Sequence, residues 1–400
     1  VTMLVRRLGT GRADAEATSS WRASDEVKPV PAELRALPEV RLARFGGLAL
    51  LVAGIVAFGL MASPSNQLKG VFVAVFVLVA ASIVVLTGWA GQVTLGQMSL
   101  VAVGAVLGAK SLVEWNFDMS LALLLAGAGG AAVALVLGLP ALRLRGPLLG
   151  VTTLAFAIAS TQYLLNRSRN SFVNGDRFGR PRLFATIDLT SQATMYMVAV
   201  VVAGLGLVAV RGLRASRTGR ALLAQRDNDR AAASFGIGVA RAKLAAFAIS
   251  GFLAGVAGCL YVVALGGYSE QPYEPAVSFN VFTAAVVGGL GSLTGAVLGA
   301  LFLNGGRWFL PADWQLLPSA LGVLVVLTAI AGGLGELVYR GRDALLRRIA
   351  DRRGLVVPSL VADVRTDRPD DVAEIVAATD SVPDEVRVGV GGADDGEGPR

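Results

Sequence analysis

Long apolar runs separated by short polar stretches fill the chain from about residue 46 to residue 335. They lie at about 46–62, 70–88, 95–113, 119–139, 147–165, 194–210, 244–266, 276–306 and 314–334. Most are close to the roughly 20 residues that a helix needs to cross the hydrocarbon core of a bilayer. Because a spanning segment must satisfy its backbone hydrogen bonds internally, each run predicts a membrane helix. The pattern therefore predicts an all-α polytopic membrane protein.

The run at 276–306 is too long for one ordinary span and carries the sequence Gly288-Gly289-Leu290-Gly291 in its middle. Glycine weakens a helix interior and favours turns. We expect these residues to divide the run into a short or re-entrant helix followed by a full one. The chain then has about ten membrane segments.

Basic residues set the expected orientation. A polar loop at 211–243 has many more basic than acidic residues, which places it in the cytoplasm by the positive-inside rule. Six segments precede this loop, so the polar N-terminal segment, 1–45, is also expected inside. The segment at 165–194 comes out on the outer side although it is rich in arginine, which conflicts with the rule.

The same parity places the C-terminal part of the chain in the cytoplasm. Residues 46–335 form the predicted transmembrane domain, and residues 336–400 a cytoplasmic tail that is first basic and then acidic. Low hydrophobicity and high charge predict a disordered tail. Both termini are therefore expected to be cytoplasmic.

Composition narrows the chemistry. The chain is 54% apolar and only 16% charged, which argues against an ordinary soluble enzyme. It has no histidine and a single cysteine, Cys259, so a His-ligated metal site and a disulfide are excluded, and we expect neither a metal nor a cofactor. The net charge of +7 is explained by basic residues flanking the spans, so we expect contact with membrane lipid and none with nucleic acid.

The apolar runs carry no Asp, Glu, Lys or Arg in their interiors, which weighs against a proton pump. They do carry small residues at four-residue spacing, which lets helix backbones approach closely in lipid. Helix packing is therefore the role expected for Gly251, Gly255, Gly288, Gly289, Gly291, Gly295 and Gly299.

Three stretches carry more specific patterns. The first runs from Gly88-Trp89 to Gly96-Gln97 and on to Gly104. The second joins Ser216-Arg217-Thr218-Gly219-Arg220-Ala221, Arg226-Asp227-Asn228-Asp229-Arg230-Ala231-Ala232, Phe235-Gly236-Ile237 and Lys243-Leu244-Ala245-Ala246-Phe247. The third is Val286-Val287-Gly288-Gly289-Leu290-Gly291-Ser292-Leu293-Thr294-Gly295.

Together with Arg143-Leu144-Arg145-Gly146 and Thr152-Thr153-Leu154, these motifs resemble the inner-membrane permeases of branched-chain amino-acid ABC importers, the LivM type. The similarity covers about residues 70–335 in the expected order. It implies the type II ABC importer permease fold in a bacterial cell membrane. The implied partners are a second homologous permease subunit, two ATPase subunits and an extracytoplasmic solute-binding protein.

The resemblance also implies that the 211–243 loop contains the segment that couples the permease to an ATPase. Carried over by position, that segment consists of Gly219, Arg220, Ala221, Arg226, Asp227, Asp229, Ala231, Ala232, Gly236 and Ile237. Small alanines suit a helix that seats in a groove, while Arg226 and Asp227 are expected at its charged rim. Gly236 is expected to end the helix in a left-handed conformation. The alternative is a solvated basic loop that only sets topology.

Uncharged polar groups within the spans are candidates for a translocation path. These are Gln92, Thr94, Gln97, Thr152 and Thr153. Polar groups in lipid are costly unless they are paired, so they face either a neighbouring helix or a water-filled path. Helix-to-helix hydrogen bonding is the alternative for each.

Three functional hypotheses remain open. The first is the permease subunit of an ATP-driven importer of leucine, isoleucine and valine, with ATP hydrolysis on separate subunits. The second keeps the family but changes the cargo to urea, short amides or another small polar solute. The third is a stand-alone secondary carrier or channel that needs no ATPase.

Overall fold

The computed structural model of the chain describes residues 38–143, 147–166, 178–184, 186–306 and 333–353. By its internal contacts the chain divides into two units. The described part of the first unit lies between residues 42 and 342, and that of the second is limited to residues 38–41 and 343–353. The described residues are mostly helical, as the apolar runs predict.

The helices follow the predicted runs closely. Their bounds are α1 Pro38–Met61, α2 Pro64–Ile83, α3 Gln97–Val113, α4 Met119–Ala141, α5 Pro147–Ala159, α6 Gln192–Ala215, α7 Arg217–Asp227, α8 Asp229–Ser234, α9 Val239–Leu265, α10 Pro275–Gly288, α11 Leu293–Ala300 and α12 Leu334–Arg353. Three of them continue as π-helical turns, over Val84–Trp89 after α2, Ser160–Leu164 after α5 and Leu301–Gly305 after α11. A 3-10 turn covers Gln271–Tyr273, and strands β1 (Arg182–Leu183) and β2 (Ile187–Asp188) form a small antiparallel hairpin.

Five helices in the described part are long and apolar enough to cross a membrane. They are α1, α2 with its π-turn, α4, α6 and α9. Four shorter apolar helices, α3, α5, α10 and α11 with its π-turn, accompany them. The break expected at Gly288 is present: α10 ends there, and α11 with its π-turn follows as far as residue 306, where this described range ends. The run predicted at 314–334 lies almost wholly outside the described residues.

The centre of the fold is α9, which packs against α2, α3 and α4. Glycines make these contacts backbone to backbone. A Cβ at Gly104 would overlap the backbone of Gly255 in α9, and a Cβ at Gly255 would overlap the carbonyl oxygen of Ala126 in α4. Gly251 lies equally close to the backbone of Gly130. Close approach of this kind is the geometry that small residues at four-residue spacing allow.

Helices α10 and α11 form a tight hairpin. A Cβ at Gly288 would overlap the carbonyl oxygen of Gly295, and one at Gly299 would overlap that of Ala284. Gly289 has φ +103°, a conformation that L side chains rarely adopt, and the Ser292 hydroxyl caps α11 by accepting from the amide of Gly295 at 2.9 Å. Glycine is therefore required both in the turn and along the contact between the two helices.

Between α2 and α3, residues 90–96 leave the helical conformation and run back alongside α2. The side-chain amide of Gln97, the first residue of α3, donates to the hydroxyl of Ser82 at 2.8 Å. Ser82 lies about 10 Å before the end of the π-turn at the usual helical rise. Helix α3 therefore begins inside the membrane part. The chain reaches it through a non-helical segment that contains Gly91 with φ +68°. We call residues 90–96 the extended segment.

The loops divide into two groups at opposite ends of the spans. At one end, the amide of Phe178 donates to the carbonyl of Gly266 at 3.1 Å, and the amide of Phe184 donates to Asp118 at 3.1 Å. The Thr190 hydroxyl and amide lower the pKa of Asp188 beside this hairpin. The described part of 165–194 thus lies with the loop after α9, at the end of α9 opposite to the 211–243 loop.

The tail begins as a helix. Residues Leu334–Arg353 are α-helical, so the disorder predicted for 336–400 does not apply to its first, basic part. The basic residues continue the helix because Arg and Lys are good helix formers, and Arg340 pairs with Glu336 one turn earlier. Residues 354–400, which include the acidic part, lie outside the described residues.

The space around each glycine predicts opposite effects on stability for a Gly→Ala substitution at two positions. Gly255→Ala forces a methyl group into the α4 backbone, and we expect a loss of about 1–3 kcal/mol in stability. Gly204→Ala, at an α6 position with open space around it, should be neutral or stabilising by up to about 1 kcal/mol through helix propensity. Thermal unfolding of both variants in detergent measures the difference. Equal melting temperatures would contradict the packing described here.

Candidate functional site

Three motifs that lie far apart in the sequence meet at one end of the spans. They are the end of α2 with the extended segment, the α7–α8 region, and the turn between α10 and α11. A Cβ at Gly88 would overlap the carbonyl oxygen of Leu290, so the end of α2 touches the turn directly. The contact leaves no space for a side chain at Gly88. Two arginines, Arg214 at the end of α6 and Arg226 at the end of α7, then connect the α6–α7 region to the end of α2 and to the α10–α11 turn.

Arg226, at the end of α7, binds the end of α2. Its Nη1 donates to the carbonyl oxygen of Gly88 at 2.6 Å, and its side chain is 21% exposed. The last carbonyls of a helix have no partner within it, and a cation there also suits the helix dipole. The sequence analysis placed Arg226 at a charged rim. In the structure its guanidinium reaches inward to Gly88, while its Nε stays 3.9 Å from a carboxylate oxygen of its exposed neighbour Asp227.

Arg214, at the end of α6, binds the α10–α11 turn. Its Nη1 donates to the carbonyl oxygen of Gly291 at 3.1 Å, and its guanidinium carbon lies 5.8 Å from the ring centre of Trp89. The distance is within the range of a cation–π contact. Trp89 is buried at the end of the α2 π-turn, so Arg214 touches both other motifs at once. Nothing in the sequence distinguished Arg214 from the other basic residues of its loop.

The candidates for ATPase coupling divide into an inward set, an outward set and a partly buried remainder. Gly219 is buried because its backbone lies against the carbonyl of Leu213, and Ala232 is buried as well. The outward set consists of the exposed residues Arg220, Asp227, Ala231 and Gly236. Ala221, Arg226, Asp229 and Ile237 are partly buried. An incoming protein would therefore meet a small part of the predicted segment.

A side-chain cap and an ion pair hold α8 in place. Asn228 caps α8 by accepting from the amides of Arg230 and Ala231, both at 3.0 Å. The carboxylate of Asp229 binds the ammonium of Lys243 at 2.7 Å, and Lys243 is buried on α9. Helix α8 is thus tied to the membrane part through its first residue. Its other end is left to project.

Phe235 forms the tip of this projection. It follows α8 and is 86% exposed, and it is followed by Gly236 with φ +80°, which ends the helix as the sequence predicts. An aromatic residue that exposed beside two exposed alanines is a typical anchor of a protein interface. Phe235 appears in the motif but was not selected as a site residue. Its signal in the sequence is a large apolar residue within a strongly polar loop.

Most of the polar candidates for a translocation path bond within the chain. Gln97 is 1% exposed, and its amide nitrogen donates to Ser82 and to Ser250. Thr153 accepts from the amide of Leu95 at 3.0 Å, and Thr94 accepts from that of Gly96. These contacts satisfy the backbone of the extended segment and join it to α5.

Gln92 and Thr152 differ from this group. Gln92 lies near the start of the extended segment, and its side-chain amide donates to the carbonyl of Ala90 at 3.2 Å. Thr152 is exposed on α5, and its hydroxyl bonds back to Leu149 of the same helix. The exposed residues of this helix, Leu148, Val151, Thr152, Ala155, Ile158, Ala159, Gln162 and Tyr163, recur at helical spacing. The structure therefore gives α5 one continuous face that the described part of the chain does not cover.

An apolar groove opens elsewhere, between α4 and α6, with α9 as its floor. Its volume is about 1300 Å³, and its lining includes Leu124, Val201, Leu205, Phe252 and Val256. The lining residues on α6 run from Thr194 to Leu213, about the thickness of a bilayer core at the helical rise. An apolar surface of this length suits lipid chains and offers little to a polar solute.

The comparison with known families defines the class of protein. The family described as branched-chain amino acid transport system permease component matches residues 70–305, which contain all three motifs and both arginines. The match covers more than half of the chain, so the chain belongs to this family. Family membership and the five long apolar helices make it a multi-pass membrane protein of the transport class.

Individual relatives carry the comparison further. The chain is 29% identical over 310 residues to the high-affinity branched-chain amino acid transport system permease protein LivM of Salmonella typhimurium, covering 71% of this chain and 72% of that protein. It is 29% identical over 311 residues, with the same coverage, to the LivM protein of Escherichia coli K12. It is also 33% identical over 154 residues to the autoinducer 2 import system permease protein LsrC of Klebsiella pneumoniae, covering 35% and 44%. No solved structure gives a significant match.

Proposed function

We propose that the chain is the membrane-spanning permease subunit of an ATP-driven importer of branched-chain amino acids. Its partners are a second, similar permease, two ATPase subunits and an extracytoplasmic solute-binding protein. The observation that carries this proposal is the apolar tip formed by Phe235 on a basic face, held by contacts to three membrane helices. The family and the LivM relatives supply the cargo.

The contacts support ten membrane segments with both termini cytoplasmic. Arg214 is in the basic cytoplasmic loop and binds Gly291, so the α10–α11 turn also lies at the cytoplasmic face. An added Cβ on Gly333, just before α12, would lie only 2.7 Å from the amide nitrogen of Gly289. Gly333 therefore lies at the same face as this turn, as the proposed segment at 314–334 would require. On this basis we propose the type II importer fold and the division into 1–45, 46–335 and 336–400.

The coupling role follows from which residues of the loop are exposed. An ATPase groove would receive Phe235 together with Ala231 and Ala233, and would meet the charges of Arg220 and Asp227 at its edge. The buried members, Gly219 and Ala232, fix the loop to the rest of the chain. Anchoring by one aromatic residue and recognition by surrounding charges is a common division at protein interfaces.

Phe235→Ala should remove the ATPase from the complex. Loss of a central aromatic anchor typically costs about 2–4 kcal/mol, so co-purification of the ATPase should fall by more than about tenfold. Phe184→Ala is the matched control, because Phe184 is 69% exposed on the hairpin at the opposite end of the spans. The measurement is a pull-down from the native cell in mild detergent, with the ATPase quantified by mass spectrometry. Wild-type levels of ATPase on the Phe235 variant would refute this anchor.

The translocation path is proposed to run along the exposed face of α5. Thr152 places a hydroxyl on that face, whereas Gln97 and Thr153 are engaged inside the chain, where they position the extended segment. Gln92 and Thr94 lie on the extended segment itself and would reach the path when that segment moves. The partner permease would supply the opposite wall.

Thr152→Val tests this path with little effect on folding, because the hydroxyl bonds only its own helix. Loss of one polar contact to the passing solute should change the uptake rate or its KM by about two- to tenfold. Thr194→Val, in the lipid-facing groove, should leave uptake as in the wild type. Unchanged kinetics of the Thr152 variant in a normally assembled complex would exclude this wall.

Reconstitution in liposomes tests the cargo. With the ATPases and the binding protein present, uptake of leucine should require ATP and be reduced by isoleucine and valine. Competition by urea, short amides or autoinducer 2 in place of these amino acids would assign another cargo within the family. Autoinducer 2 is included because the chain is similar to LsrC. Transport by the chain alone would indicate a stand-alone carrier.

A further inference from the structure

Two arginines connect the loop that faces the ATPase to backbone carbonyls of the membrane part. We propose that Arg226 and Arg214 are positioning residues that transmit movement of α7 to the extended segment and so to the translocation path. The proposal deepens the proposed function and rests on it. It concerns side chains that point away from the ATPase, which distinguishes it from the docking role of Phe235.

The first step of the argument is the attachment of α7 at both of its ends. At its start, the backbone of Gly219 lies against Leu213 and Arg214, so α7 cannot move without the end of α6. At its other end, Arg226 holds the Gly88 carbonyl at 2.6 Å. The first attachment is backbone against backbone, and the second is a short hydrogen bond from the Arg226 side chain to a backbone carbonyl, so a displacement of α7 acts on both α6 and α2.

The second step is the fit of the extended segment around Arg226. Gly91 has φ +68°, and a Cβ there would lie 3.1 Å from the Cγ of Arg226. The segment therefore turns directly over the arginine side chain. A displacement of Arg226 acts on Gly88 and Gly91 together, on both sides of the point where the helix ends.

The third step is the bond that Arg214 makes to a second hairpin. Its contacts with Trp89 and with the Gly291 carbonyl join the end of α2 to the α10–α11 turn. The amide of Met98, at the start of α3, donates to Ser278 of α10 at 2.9 Å. The two arginines thus act on two of the elements that hold the start of α3.

The extended segment is the element able to respond. The amide of Ala90 still makes a π-helical bond to Val85, but beyond it the backbone amides depend on separate partners: that of Gln92 donates to Leu86, that of Leu95 to Thr153 and that of Gly96 to Thr94. Coupling between two sites requires an element whose contacts differ between two states. A segment held by individual side chains can exchange them one at a time, which a continuous helix cannot.

The test uses the assembled complex of permeases and ATPases in lipid nanodiscs. Amide hydrogen exchange is measured with and without ATP for the wild type, Arg226→Gln and Arg214→Gln. In the wild type we expect ATP to change exchange both in α7–α8 and in residues 92–96. In the two variants the change in α7–α8 should remain, and the change in residues 92–96 should be lost.

Uptake into liposomes provides the second readout. Normalised to ATPase-bound complex, uptake should fall about tenfold or more in both variants. Arg226→Lys should recover part of the activity because one donor suffices for one carbonyl, whereas Arg214→Lys should not, since the planar guanidinium also covers Trp89. Arg211→Gln and Arg241→Gln, exposed basic residues near the same face, are the charge-matched controls and should behave as the wild type.

The outcomes separate this inference from the proposed function. If the wild-type chain captures no ATPase, the proposed function fails and the inference falls with it. If the wild type couples normally but both glutamine variants keep full uptake and the exchange change at residues 92–96, only the inference is overturned. Loss of ATPase from the variants would instead assign the arginines to docking, which also overturns it.

Discussion

The need to satisfy every backbone polar group inside a membrane explains the arrangement around the extended segment. An unpaired amide or carbonyl in a low-dielectric interior costs several kcal/mol, so non-helical backbone is tolerated there only when protein groups serve it. Backbone groups of residues 90–96 form hydrogen bonds with Thr87, with Thr153 and with carbonyls at the end of α2. The preceding Gly88 carbonyl accepts a hydrogen bond from Arg226. The hydroxyls and the arginine therefore all form hydrogen bonds with backbone groups in and beside this non-helical segment. The polar residues of the first motif are placed to serve backbone, which accounts for their presence in an otherwise apolar region.

Close packing of α9 makes this arrangement possible. Gly251, Gly255 and Gly258 bring α9 against α3 and α4 with backbone contacts, and Ser250 on the same helix reaches Gln97. Lipid chains are as apolar as leucine, so helices associate in a membrane through contact and hydrogen bonds, with little help from the hydrophobic effect. The glycines supply the contact and the serines supply the bonds. Larger residues on α9 would hold α3 away and leave the start of that helix without partners.

The sequence predicted the helices well because the apolar period and the length of the runs reflect the bilayer directly. It also located the break at Gly288 and the left-handed Gly236, since both follow from glycine's conformational freedom. It did not predict that α3 starts inside the membrane part, because the break between the runs at 70–88 and 95–113 does not indicate the depth at which it lies. Nor could it orient Arg226, whose partner is a carbonyl 138 positions away that every residue possesses. Contacts to backbone leave no trace in residue type, and they hold most of the candidate site together.

This dependence on backbone contacts also bears on how cargo and energy are handled by different parts of the importer. The exposed face of α5 carries a few uncharged polar groups among apolar ones, which can accommodate a small solute but provide no charged partner for its carboxylate or ammonium group. Discrimination between similar solutes depends on buried polar groups that a wrong solute leaves unpaired. If the proposed path follows this face, strong selection would occur before the solute reaches it, on the proposed binding protein. In this proposal the chain's own specificity would lie at its cytoplasmic face, where Phe235 would determine which ATPase it accepts and the two arginines how the movement of that ATPase reaches the membrane.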